Sequence, residues 1–154
     1  MTATDQVADG SQLTIQQVSR LSGLSEPTLR YYEKIGLIDA VDRDESSGHR
    51  RYGSAVVETI EALACLRSTG MSVRDMRTYL LHLDSRDAPR LRELFRVNAE
   101  RVTQEIDRMR VRQQYLDLKA DLWDARDRGD TAAEDRAITA LTAITADLTG
   151  AATP

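Results

Sequence analysis

The run Thr28-Leu29-Arg30-Tyr31-Tyr32-Glu33-Lys34-Ile35-Gly36-Leu37-Ile38 concentrates groups that hydrogen-bond phosphate. With Leu29 facing inward, Arg30, Tyr31 and Lys34 share the outward side of one helix. Exposed paired tyrosines beside an arginine are costly on a merely solvated face. A second basic and aromatic cluster, Gly48-His49-Arg50-Arg51-Tyr52, follows at a hairpin tip, with Arg43 on the facing strand. A helix and a wing, both rich in phosphate donors, form the two halves of a grip on duplex DNA. Ser25 and Thr28 turn short hydroxyls to the same groove, and Thr14 and Gln16 open the preceding helix beside it. In the wing, Arg50 or Arg51 is the better phosphate ligand, and Tyr52 also reads as packing that fixes the wing to the next helix.

Other chemistry is sparse. The single cysteine, Cys65, forbids an intrachain disulfide and fits a reducing compartment. Its plain reading is a small buried apolar residue. Arg67, two residues on, places a cation near the thiol. No nucleotide-binding, protease or hydrolase motif is present, so an enzyme and a cofactor are not expected. His82 stands apart from any other ligand and no cysteine follows residue 65, which disfavours a thiolate metal site.

These groups need elements to hold them. Thr14-Ile15-Gln16-Gln17 reads as a capping box for a first helix whose inward face is Ile15, Val18 and Leu21. Ser22-Gly23-Leu24 is a turn. Ser25 caps a second helix, with Glu26 and Pro27 in its first turn and Gly36 at its end. Residues 37–43 and 49–52 read as two short strands around a Glu45-to-Gly48 turn. Val56, Ile60, Leu63 and Ala64 mark a third helix that stops at Gly70. Ser72 starts a fourth, running through Met76, Tyr79, Leu80 and Leu83.

Residues 84–88 are a linker, and Pro89 suits the start of a long helix over 89–129. Ala99, Ile106, Gln113 and Ala120 recur every seven residues, as do Phe95, Val102, Met109, Leu116 and Trp123. That heptad predicts a coiled coil. A helix of about 40 residues, roughly 60 Å, cannot bury its seam on a small domain and needs a partner chain. The dimerisation residues are therefore Phe95, Val102, Ile106, Met109, Leu116 and Trp123. Residues 130–148 form a short amphipathic helix, opened by a Thr131/Glu134 capping box and continued by Ile138, Leu141, Ile144 and Leu148. Residues 1–12 are expected to be a disordered tail and 149–154 to fray.

Net charge is −4, an odd sign for a DNA binder. The acidity lies at the ends: residues 1–12 and 131–154 each contribute −2, and residues 13–83 hold nine basic and nine acidic groups. Phosphate contact therefore depends on local placement within a Debye length of about 8–10 Å. No apolar run has transmembrane length and no signal pattern opens the chain, which predicts a soluble, cytoplasmic protein.

From Leu13 to about Leu83 the chain closely resembles the DNA-binding domain of the MerR family of transcription regulators, and the order of elements beyond it fits too. The resemblance implies a mostly α protein: a winged helix-turn-helix at 13–83, a long antiparallel coiled-coil dimerisation helix and a short C-terminal helix. It implies a homodimer on a near-palindromic promoter, with RNA polymerase as a further partner. It also implies that a signal alters DNA twist or bend, at energies of a few kcal/mol. Residues 60–72, with Cys65 five residues before Gly70, resemble the branch that senses aldehydes and other electrophiles through one cysteine. The family pattern has an aromatic residue where His49 stands. The 25 residues after Gly129 are too few for the large ligand domain of drug-sensing relatives. The other readings are an effector-independent architectural DNA-binding protein, a regulator of unknown ligand, and a coiled-coil adaptor, against which Arg30, Tyr31, Arg50 and Arg51 argue.

Overall fold

The structure, a computed structural model, describes residues 12–150. The expected N-terminal tail lies outside the described residues, except for residue 12, as do residues 151–154. Two compact units divide the chain, the first ending at Phe95 and the second starting at Arg96.

The first unit opens with α1, Ile15–Ser22, and α2, Glu26–Lys34. Thr14 caps α1 with the full capping box: its hydroxyl accepts from the Gln17 amide, and the Gln17 side chain accepts from the Thr14 amide at 2.8 Å. Gly23 follows at φ +73°, a left-handed conformation that costs glycine little, and lets the chain reverse into α2. Strands β1, Asp42–Arg43, and β2, Arg50–Arg51, pair antiparallel, with Asp42 opposite Arg51. Helices α3, Ser54–Ser68, and α4, Val73–Asp84, complete the unit. Its core gathers Val18, Leu29, Tyr32, Leu37, Ile38, Tyr52, Val57, Ile60, Leu63 and Met76.

The strands are much shorter than predicted. Leu37, Ile38 and Val41 are buried but lie in a loop, so their apolar run reflects core contact, not sheet pairing. Leu13 instead makes an isolated bridge to Tyr52, exchanging two backbone hydrogen bonds at 2.9 and 2.8 Å. Leu21, predicted to face inward, is exposed, as is Leu83 at the end of α4; Val18 and Met76 are the buried residues of those helices. Cys65 is exposed, against the expectation of a buried thiol.

Helix α5, Ala88–Arg128, begins in the first unit and continues into the second. Asp87 caps it, accepting from the Arg90 amide at 3.2 Å. All of residues 99–110 are exposed, and the heptad residues Met109, Leu116 and Trp123 are 52%, 67% and 64% exposed. A second apolar stripe, Tyr115, Leu118, Leu122 and Ala125, lies one residue before or two residues after Leu116 and Trp123, about 100–160° around the helix from that seam. Most of it packs against α6, Thr131–Gly150, where Ala137 and Leu141 join Leu122, Tyr115 and Leu118 in a small core. The inward position predicted for Ile138 belongs to Ala137. The cap is Asp130, which accepts from the Ala133 amide at 2.9 Å, not Thr131. Glu134 instead pairs with Arg126 of α5 at 2.6 Å. The helix runs two residues beyond the predicted end at 148.

Candidate nucleic-acid interface

Helix α2 carries the predicted reading face. Ser25 caps it by accepting from the Thr28 amide at 3.3 Å, and the two hydroxyls lie 2.8 Å apart. Pro27 sits in the first turn, where its missing N–H costs nothing. Leu29 and Tyr32 are buried, which turns Arg30, Tyr31 and Lys34 outward as the spacing predicted. Tyr31 is half exposed, its ring tilted against Tyr32 at 6.2 Å. Arg30 pairs with Glu26 at 3.1 Å along the helix. Such an exposed pair is worth about 0–1 kcal/mol, so a phosphate competes for the guanidinium readily.

The wing is built around Asp44. Its carboxylate accepts from the amides and hydroxyls of both Ser46 and Ser47, and from Arg51 at 3.2 Å. These donors, the Ser46 hydroxyl first, hold the Asp44 carboxyl well below the usual carboxylate range. Gly48 takes φ +69° and closes the tip, and Arg43 donates to its carbonyl at 3.3 Å.

The predicted wing residues divide by role. Arg50 donates from Nε to Glu33 of α2 at 2.6 Å, with both side chains largely buried. Freeing that guanidinium for phosphate would leave the Glu33 charge partly buried and unpaired. Arg50 thus ties the wing to α2, and the expected phosphate contact of Arg50 or Arg51 would compete with this pair and with Arg51–Asp44. Arg43 and His49 are the exposed groups of the wing; Arg51 is engaged with Asp44. Tyr52 is fully buried and cannot meet DNA from this position; its packing reading is the correct one. Its hydroxyl makes no hydrogen bond among the described residues, and burial, with Glu33 nearby, pushes the phenol up.

Thr14, Gln16, Arg30, Arg43, His49 and Arg50 line one cleft of about 320 Å³ between α1, α2 and the wing. The Leu13–Tyr52 bridge brings Thr14 and Gln16 there. Donors from three elements thus converge on one groove, suited to a polyanion. Three residues that position the site escaped the sequence reading. Asp44 was legible as an aspartate two residues before paired serines, an Asx-turn signal. Glu33 and Arg67 act across 17 and up to 39 residues of sequence, where no local pattern points. Arg67 turns to Thr28 and Tyr32 of α2, not to the Cys65 thiol. Among the described residues no cluster of three or more His, Cys, Asp or Glu could hold a metal ion, and no helix is long and apolar enough to cross a membrane.

Residues 13–83 match the family model described as MerR HTH family regulatory protein. The chain is 40% identical over 67 residues to the HTH-type transcriptional regulator AdhR of Bacillus subtilis, covering 44% of this chain and 47% of that one. It thus spans about half the length of AdhR and of two further curated relatives that it matches. Among solved structures, it is similar to HiNmlR, a MerR family regulator lacking the sensor domain, bound to promoter DNA. The TM-score is 0.57 at 27% identity, over 79% of this chain and 98% of that one. A MerR family regulator from Listeria monocytogenes aligns with a TM-score of 0.62 at 29% identity, over 82% and 98%.

Proposed function

We propose that this chain, whose residues 13–83 match the MerR helix-turn-helix family model, is a sequence-specific DNA-binding transcriptional regulator that acts as a homodimer and distorts promoter DNA. The observation that carries the reading is the cleft in which α2 and the wing present Arg30, Arg43 and His49 together. The similarity to a regulator bound to promoter DNA supports it. The exposed heptad of α5 supports the dimer, since a contiguous apolar stripe on a solvent face marks an association surface. RNA polymerase at the promoter is the further partner of this reading, and the cytoplasm its compartment. The test is a gel-shift assay with genomic fragments across a salt series. A set of retarded fragments whose affinity falls with salt supports the reading. Equal, weak binding to every fragment removes sequence specificity.

The exposure of Cys65 favours a second, finer reading, in which its thiol tunes the response to electrophiles. Exposure gives a reagent access, but it removes overpacking of a core as the route by which an adduct would act. A Cys65→Ser strain with a reporter on the protein's own promoter decides it. Induction by aldehyde that is lost in the mutant supports a sensor. Equal induction in both strains, or in neither, leaves the effector-independent or unknown-ligand readings.

A further inference from the structure

We propose that Arg67 is the positioning residue that fixes the rotation of α2, acting from α3 without touching DNA; the inference rests on the DNA-reading role of α2. Its Nη1 donates to the Thr28 hydroxyl at 3.3 Å and to the Tyr32 phenol oxygen at 3.4 Å. These acceptors stand about one helical turn apart. One planar group from a helix 35–39 residues further along the chain therefore bridges a full turn of the reading helix. The Thr28 hydroxyl lies 2.8 Å from that of Ser25, so the contact extends to the cap of α2. At the other end of the helix, Arg77 of α4 donates to the Ile35 carbonyl. Carbonyls at a helix C-terminus lack partners within the helix and favour a cation.

The need for such a clamp follows from the size of α2. A helix of nine residues does not stand by itself in water. Its inward face is Leu29 and Tyr32, two side chains that set its depth in the core. Non-directional apolar contact resists rotation about the helix axis poorly. Hydrogen bonds prefer near-linear geometry and resist it well. Rotation decides where Arg30, Tyr31 and Lys34 point, and recognition tolerates errors of only about 0.5 Å. Tyr32 links the two kinds of contact, with a ring in the core, 1% exposed, and a hydroxyl on Arg67.

The alternative role for Arg67 is a phosphate ligand, because it is exposed beside Tyr31 on a cleft of about 410 Å³. The two roles separate in the full chain, using a duplex selected from genomic fragments and a scrambled duplex. For Arg67→Ala, affinity for the selected duplex should fall about 3- to 10-fold, with scrambled-duplex affinity and the salt slope unchanged. Tyr32→Phe should lose part of the same affinity, and the double variant should be no worse than Arg67→Ala. Hydrogen exchange on the free protein should speed up at residues 29–35 in Arg67→Ala and stay unchanged in α1 and α6. An equal fall on both duplexes, with the salt slope reduced by about one, identifies a phosphate contact and overturns the proposal. Unchanged affinity and exchange overturn it too. If the wild type prefers no duplex, the DNA reading itself fails. The exchange comparison then decides the clamp: faster exchange in Arg67→Ala supports it, and equal exchange overturns it.

Discussion

Arg30 and Tyr31 differ from Arg50 and Tyr52 in what each would lose by turning to DNA. Arg30 would give up a weak exposed pair, and Tyr31 is already half exposed. Arg30→Ala and Tyr31→Ala should each weaken specific binding by about 1–3 kcal/mol, with the melting temperature unchanged. Titration of both variants against a selected duplex checks this; two wild-type affinities would remove α2 from the interface. Arg50 is paired with Glu33, and Tyr52 is buried in the core. The Tyr52 hydroxyl is buried with no hydrogen-bond partner among the described residues, and an unsatisfied buried group costs about 1–3 kcal/mol. Tyr52→Phe keeps the ring and removes that group, so it should raise stability by about 1 kcal/mol and leave DNA affinity intact. Urea unfolding measures it, and a loss of stability would mean that the hydroxyl is satisfied in solution. The residue types that could bind phosphate were legible in the sequence. Which of them are free to do so was not, because the Arg50–Glu33 pair is a contact between elements.

The elements were legible where a local rule governs them. Capping residues set the starts of α1, α2 and α4, and each uses the side chain predicted from the sequence. The wing strands were overestimated because the apolar residues Leu37, Ile38 and Val41 report burial, which a packed loop satisfies as well as a strand. At the C-terminus, Thr131 and Glu134 have the spacing of a capping box, but Asp130 reaches the amide first and Glu134 finds Arg126. The wing itself depends on ionised Asp44, which gathers two serines and Arg51. Because the folded state holds this carboxyl below its ordinary value, its contribution is fully present above that value, about 3.9, and is lost as pH falls further. The wing should therefore be pH-insensitive near neutrality and loosen only below about pH 4. Asp44→Asn should loosen it at all pH values, with faster amide exchange at Ser46 and Ser47. Wild-type exchange at those amides in the mutant near pH 7 would mean that the hairpin needs no charge at Asp44.

At the scale of the whole molecule, the apolar residues of α5 serve two surfaces. The heptad pattern pointed to an exposed seam, but it did not reveal that Leu118 and Leu122, two residues and one residue out of phase with it, receive α6. That division explains how a chain with 41% hydrophobic residues leaves Val102, Ile106, Met109, Leu116 and Trp123 in solvent. The stripe stays exposed because α6 covers only the neighbouring one. Trp123 is also braced, with the Arg126 guanidinium 5.0 Å from its ring centroid and Arg126 held in turn by Glu134. If two copies associate through this seam, Met109 lies near its middle. Met109→Glu would then bury a carboxylate against apolar neighbours, where even an unpaired neutral polar group costs about 2–7 kcal/mol. The α5–α6 core does not include Met109, so helix content should be retained by each chain. Sedimentation should show a dimer for the wild type and a monomer, or a dissociation constant raised at least about 10-fold, for Met109→Glu. Operator affinity should fall with it, because one chain then presents a single reading helix where the dimer presents two. A Met109→Glu protein that sediments as the wild type would place the association surface elsewhere.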